Sequence, residues 1–284
     1  MGLILKNINN GNGRVILKNI NNGNGRVRLT LNARGTPALD SWTPAQITTA
    51  LWFDAADAST ITLNGSNVNQ WNDKSGNGRH ATQATAANQP QYTTAGLNGK
   101  NVVTFDGNDY FSLSNDIVSS PSTIVVVFKF NNFAAVNPRI YDIKKNGQSL
   151  QLIRDGSTTS IGTKNTVWQP SSAGTKWHSS QTTDPEIIAI NFENASTALS
   201  LNGTLSTNTG PVGIGPGGTD STLGVRADFQ ATTYLNGFIS ELVVVDTSLS
   251  TSDRQKIEGY LAHKWGLEDN LPADHPYKTN PPTV

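Results

Sequence analysis

The sequence predicts an all-β protein, a sandwich or barrel with one helix near its C-terminus and an arm of repeated β-strands at its N-terminus. Three observations predict this. Short runs of β-branched and aromatic residues alternate with turn residues at fairly regular spacing through most of the chain. A single stretch with helical periodicity stands near residue 260. A block of twelve residues occurs twice, unchanged, within the first 27.

The repeat comes first in the chain. Ile4–Val15 reads ILKNINNGNGRV and recurs as Ile16–Val27, and Arg28-Leu29-Thr30-Leu31 follows in phase. Each unit has a strand-like half and then Asn-Asn-Gly-Asn-Gly, residues that tolerate the positive φ of a tight reversal. The reading is a three-strand meander over an arm at 1–35. Alternation puts Leu3, Leu5, Val15, Leu17, Val27, Leu29 and Leu31 on one face and Ile4, Ile8, Ile16 and Ile20 on the other. A sheet this small with two apolar faces is marginal alone. Leu3, Leu5, Ile8, Val15, Leu17, Ile20, Val27, Leu29 and Leu31 are therefore expected to serve assembly, docking on another protein or another copy of this chain, with a homo-oligomer as the result. The alternative is a duplicated hairpin folded back on its own domain.

The second domain is expected over 36–284. Strands are predicted at Val102–Phe105, Thr123–Phe130, Leu150–Arg154, Glu186–Phe192, Ala198–Leu201 and Gly237–Val245. Ile124–Phe128 and Leu242–Val245 are too uniformly apolar for a half-exposed edge, which places them in central strands. Asn202-Gly203 between leucines signals a compact hairpin. A helix is predicted over 251–266: Ser250 and Asp253 form a start like a capping box, Ile257, Leu261 and Trp265 recur every four residues, and Gly266 stops it. Pro272, Pro276, Pro281 and Pro282 predict an irregular tail.

Composition excludes several classes. Charged residues make up 15%, with 21 basic and 21 acidic, so no long-range field recruits nucleic acid or an anionic membrane. Without cysteine there is neither a disulfide nor a thiolate metal site. Met1–Lys6 lacks the pattern of a signal peptide, and no run reaches the ~20 apolar residues of a membrane span.

Three stretches resemble the concanavalin A-like lectin/glucanase superfamily in its laminin-G-like branch, found in phage structural and bacterial surface proteins. They are Leu51–Asp57 with Trp71–Gly78, Val103–Tyr110, and Gly237–Leu242 with Glu258–Trp265. The resemblance covers residues ~45–280. It implies a jelly-roll of two antiparallel sheets with the helix packed on it, but fixes no function, because the fold hosts lectins, hydrolases and spacers alike.

Candidate sites follow. Calcium, which the family often holds, would take Asp73, Asn77, Asp106 and Asp109 as oxygen donors. The competing reading makes these four Asx-turn residues. Glycan binding is assigned to Trp168 and Trp177, in a polar strandless stretch, with His178 beside the second, while Trp52, Trp71 and Trp265 read as core. Glu241, inside an apolar strand, is expected to be a structural acceptor for a loop or the C-terminal helix. The carboxylate pair of a retaining glycosidase along one strand is missing from the spacing of Glu186, Glu193, Glu241, Glu258 and Glu268, so no enzyme and no catalytic residue is expected. The leading expectation is a non-enzymatic structural or adhesive protein on a virion surface, a capsid decoration, head-fibre or tail-appendage subunit that binds host glycan. The alternative is a carbohydrate-binding module of a bacterial surface or secreted protein.

Overall fold

A computed structural model describes residues 40–113, 121–132, 138–145, 148–155, 164–166, 178–179, 182–192, 197–205, 215–216, 221–227 and 229–284. Its Cα packing separates residues 1–41 with 283–284 from a unit spanning 42–282. The arm expected at 1–35, with all of its assembly residues, lies outside the described residues.

In the larger unit the strands run in chain order β1 (Thr49–Asp54), β2 (Ile61–Asn64), β3 (Asn67–Trp71), β4 (Ala81–Thr82), β5 (Gln91–Leu97) and β6 (Lys100–Asp106). Next come β7 (Phe111–Leu113), β8 (Ser122–Phe130), β9 (Arg139–Lys145), β10 (Gln148–Asp155), β11 (Lys164–Thr166) and β12 (His178–Ser179). The last are β13 (Glu186–Phe192), β14 (Thr197–Leu201), β15 (Thr204–Leu205), β16 (Gly215–Pro216), β17 (Ser221–Leu223) and β18 (Asn236–Val245), before helix α1 (Thr251–Trp265).

All pairings are antiparallel. In the first layer β14, β13, β8 and β18 lie side by side. The far side of β18 is shared: Asn236–Ile239 pair with β6 and Glu241–Val245 with β1. The second layer runs through β2, β3, β4, β7, β17, β9 and β10. Between them lies one apolar core, with Phe53, Phe105, Ile124, Phe128, Ile190 and Val244 from the first layer and Trp71, Phe111, Tyr141, Leu152 and Leu223 from the second. This is an all-β sandwich with one helix.

The first layer is apolar on its outer face too, because α1 and the tail cover it. Trp52, Val125, Val127, Ile187 and Val243 pack there against Ile257, Leu261, Trp265 and Leu271. Central strands buried on both faces lose alternation, which is why Ile124–Phe128 and Leu242–Val245 read as continuous apolar runs. A register shift between Ile239 and Glu241 resets the parity of β18: Ile239 points inward, and beyond it Leu242 and Val244 do. Glu241 and Val243 thereby face the helix. The hairpin joining β14 to β15 turns on Asn202 (φ 49°) and Gly203 (φ 82°), the paired positive φ that Asn-Gly supplies.

Helix α1 starts at Ser250, whose hydroxyl accepts the Asp253 N–H, and ends at Gly266 in the left-handed conformation. The tail returns over the helix so closely at Gly259 that a Cβ there would lie 2.4 Å from the Cβ of Tyr277. A buried Arg254–Glu258–His275 chain ties the two together. Among the described residues no helix is long and apolar enough to cross a membrane.

Candidate functional site: the cleft beside β1

One edge of β1 pairs with β18, and the other would be bare without the loop joining β3 to β4. Asp73 organises this loop. One carboxylate oxygen accepts the N–H groups of Trp52 (3.0 Å) and Ser75 (2.8 Å), and the other accepts the Ser75 hydroxyl (2.7 Å) and the Arg79 N–H (3.1 Å). Lys74 N–H then donates to Trp52 O (2.8 Å). The Ala50 carbonyl receives the Asn77 amide (3.1 Å) and an Arg79 guanidinium nitrogen (2.8 Å), and Asn77 also reaches Thr49 O at 3.1 Å. Side chains of the Trp71–His80 stretch thus take the place of a neighbouring strand, which satisfies and protects the edge.

Where this loop leans on β1 there is a cleft of about 410 Å³, lined by Thr48, Trp52, Lys74, Ser75, Asn77, Arg79 and Asp246 among others. Its volume lies within the range of small-ligand sites, roughly 300–1,000 Å³. Lys74 sits over the Trp52 ring, 4.5 Å from its centroid, and pairs with Asp54 and Asp57 at 2.8 Å each. Burial opposes the lysine charge, but the two carboxylates outweigh it and hold its pKa above the ordinary value. Hydrogen bonds from Lys74 and Ser59 draw Asp57 down to about 2. Arg79 is half-buried and, among the described residues, pairs with no carboxylate, so the rest of its guanidinium fork is uncommitted.

Behind the cleft, under α1, lies a buried charge network. Glu241 is fully buried; its two oxygens accept the indole N–H groups of Trp52 and Trp265, each at 2.8 Å. Tyr260 donates its hydroxyl to Glu241 at 3.2 Å. Lys264 reaches Glu241 at 2.6 Å and Asp54 at 2.7 Å. Burial pushes the Glu241 carboxyl up, with Lys264 pulling the other way. Glu241 is the acceptor for the C-terminal helix that its place in an apolar strand implied.

The residues singled out from the sequence fare differently. Trp71 and Trp265 are fully buried and Trp52 nearly so, as expected. Trp168 and Trp177 lie outside the described residues, and His178 is placed only as a residue of β12, opposite Asn165. The four residues named for calcium are placed as follows. Asp73 spends its oxygens on its own loop and on the Trp52 N–H of β1, and Asn77 donates its amide nitrogen to carbonyls of β1. Asp106 accepts the Asn108 N–H (3.0 Å) in an Asx turn, and Asp109 accepts the Asp106 N–H (3.0 Å). Among the described residues no group of three or more His, Asp or Glu side chains is placed to hold a metal ion. Asp73 and Asp106 each accept the N–H two residues on, the Asx-turn contact, whereas Asn77 acts as a donor through its amide nitrogen and Asp109 reaches back to Asp106. Arg79, Thr48 and Asp246 were missed; the only available signal was that Arg79 closes the Ser-Gly-Asn-Gly turn of the family-like stretch.

No protein-family model matches the sequence, and none of the curated proteins does. Solved structures share the fold. Domain 4 of AbnA, a GH43 extracellular arabinanase from Geobacillus stearothermophilus in complex with arabinotriose, is similar at a TM-score of 0.55 and 15% identity, over 74% of this chain and 98% of that one. A Trypanosoma rangeli sialidase in complex with sialic acid matches at 0.53 and 12%, over 84% of this chain and 36% of that one. An arabinofuranosidase complexed with arabinofuranosyl-alpha-1,2-xylobiose matches at 0.52 and 16%, over 68% and 50%. The chain thus spans half of the arabinofuranosidase and about a third of the sialidase. At these identities the likeness is one of fold.

That likeness overturns the expectation that the chain is no enzyme, because the structures sharing its fold belong to an arabinanase and an arabinofuranosidase. Asp54 and Glu241 stand directly opposite each other on neighbouring strands, bridged by Lys264, but both are buried and committed to the network under α1.

Proposed function

We propose that this chain is a carbohydrate-recognising sandwich of the concanavalin A-like jelly-roll kind, and that the cleft beside β1 takes a saccharide unit. The cleft carries the reading. It is braced by the Asp73 hydrogen bonds before any ligand arrives, so little ordering cost falls on binding. Its lining offers hydroxyl, amide, guanidinium and carboxylate groups in one place, the mixture of donors and acceptors that neighbouring sugar hydroxyls match. The Lys74 charge is spent on Asp54 and Asp57, so the cleft has no large excess of either sign and suits a neutral sugar. Support also comes from the fold likeness to a domain solved with arabinotriose, which spans nearly all of that domain.

A display role on a virion surface, with the arm at 1–35 as the attachment, is proposed on the exact 12-residue repeat. Deleting 1–35 should leave a folded body that no longer assembles, and a truncation that assembles normally would remove this part of the reading.

The cleft is tested by titrating the full chain with arabinotriose and a panel of neutral oligosaccharides, with released reducing ends followed in the same samples. Binding is expected, and it should weaken about tenfold or more in Arg79→Ala and Asn77→Ala. Failure of every sugar to bind would end the proposal. Release of reducing ends would show cleavage as well as recognition.

A further inference from the structure

The opposite end of β18 carries a feature that neither the core nor the cleft uses. Its first residue, Asn236, pairs with Asp106, whereas its last, Val245, precedes Asp246 at the cleft. A ten-residue strand puts these ends about 30 Å apart.

Three aromatic rings meet there. Tyr110 lies 5.0 Å from Phe229 and 6.3 Å from Tyr234 between centroids, with planes inclined at 58° and 65°. Phe229 is 40% exposed and belongs to neither apolar cluster. Its φ is +56°, a left-handed conformation that bulky side chains avoid on steric grounds. The turn is held there by Phe229 N–H donating to Arg226 O (2.8 Å) and by Thr233 donating its hydroxyl to Gln230 O (2.7 Å). The backbone is therefore strained to present a ring that contributes nothing to the core. Tyr110 and Tyr234 are half-buried, and their hydroxyls make no hydrogen bond among the described residues. The polar groups alongside are mainly amides: Asn88 bonds Asn108 O, Asn236 bonds Asp106 O, and the Gln230 carbonyl takes an Arg226 guanidinium nitrogen.

We infer that Tyr110, Phe229 and Tyr234 form a second saccharide site, a stacking platform for one ring of a neutral oligosaccharide. This rests on the carbohydrate reading and adds a site at the other end of the domain. A sugar ring has an apolar C–H face and a rim of hydroxyls. The exposed ring of Phe229 suits the first, and the two phenol hydroxyls with the neighbouring amides suit the second. An acidic ligand would find Asp106 beside the platform and Arg226 already engaged by Gln230.

The test uses the full chain, with arabinotriose and cellotetraose as probes, calorimetric titration for Kd and stoichiometry, and saturation-transfer NMR. Phe229→Gly is the deciding variant, since glycine accepts φ +56° without strain. It is expected to keep or raise the Tm while weakening the platform at least tenfold and removing saturation transfer to sugar ring protons. Tyr110→Phe with Tyr234→Phe, which keeps the rings, should weaken binding severalfold. Arg79→Ala should leave the platform's share of binding in place. A Phe229→Gly protein that loses Tm but keeps wild-type Kd would show a merely structural ring and overturn the inference, leaving the cleft reading intact. An oligomer that dissociates on this substitution with unchanged sugar binding would overturn it as well. If the parent binds neither probe nor any panel sugar, both readings fall together.

Discussion

Replacing Glu241 tests the claim that one carboxylate fastens the helix to the sandwich. In Glu241→Gln the amide oxygen keeps one indole partner, while the amide nitrogen is turned toward the other indole, leaving a buried N–H without an acceptor; that costs about 1–3 kcal/mol. Lys264 loses one of two carboxylates but keeps Asp54 and is 16% exposed, which adds about 1 kcal/mol. The sum is about 2–4 kcal/mol. At roughly 2–4 °C per kcal/mol for a domain of this size, the Tm should fall by roughly 5–15 °C. Glu241→Leu strands both indoles and should cost about 4–7 kcal/mol, a large part of a whole domain's stability. Urea unfolding followed by tryptophan fluorescence measures this, with an unchanged m-value showing that the effect lies in stability. A cycle with Lys264→Met should return a coupling of about 0.5–3 kcal/mol. A Glu241→Gln protein within about 0.5 kcal/mol of wild type would refute the reasoning, because two indole donors and a lysine would then not depend on the group they all touch.

Two further outcomes are expected. Burial raises the Asp109 carboxyl to about 7, with Asp106 nearby adding to it, so between pH ~4 and ~7 the unfolded chain is ionised at this position while the folded chain keeps its proton. Stability from this group therefore falls as pH rises through that window, and Asp109→Asn, which keeps an oxygen for the Asp106 N–H, should show a smaller loss of Tm between pH 5 and pH 8 than wild type. An equal loss would mean that another group sets the pH dependence. Gly259→Ala should destabilise by about 1–3 kcal/mol and speed hydrogen exchange in residues 275–282, because the methyl would overlap Tyr277; helix propensity alone predicts the opposite sign, a gain of up to ~1 kcal/mol.

By itself, the sequence determined the class of fold and the strongest elements. All six predicted strands lie in strands of the structure, within about two residues at their ends, and the helix runs from its Ser250 cap to Gly266. The central strands β8, β13 and β18 were legible because they are buried on both faces, and the helix because residues of local effect cap it. β1 was not assigned as a strand, since Asp54 and the following Ala-Ala-Asp hide an element whose second edge is satisfied by side chains from a loop about 25 residues away. The sites were far less legible. Asp73 and Asn77 announce oxygen ligands in sequence, and only the folded loop shows Asp73 accepting from that loop and from β1 while Asn77 donates its amide nitrogen to β1. The Asp54–Glu241 pair and the Tyr110–Phe229–Tyr234 group each join residues more than a hundred positions apart, and no periodicity along a chain can report which strands become neighbours. Local chemistry is written in consecutive residues, whereas juxtaposition across a sheet follows from strand order and register, which only the tertiary structure decides.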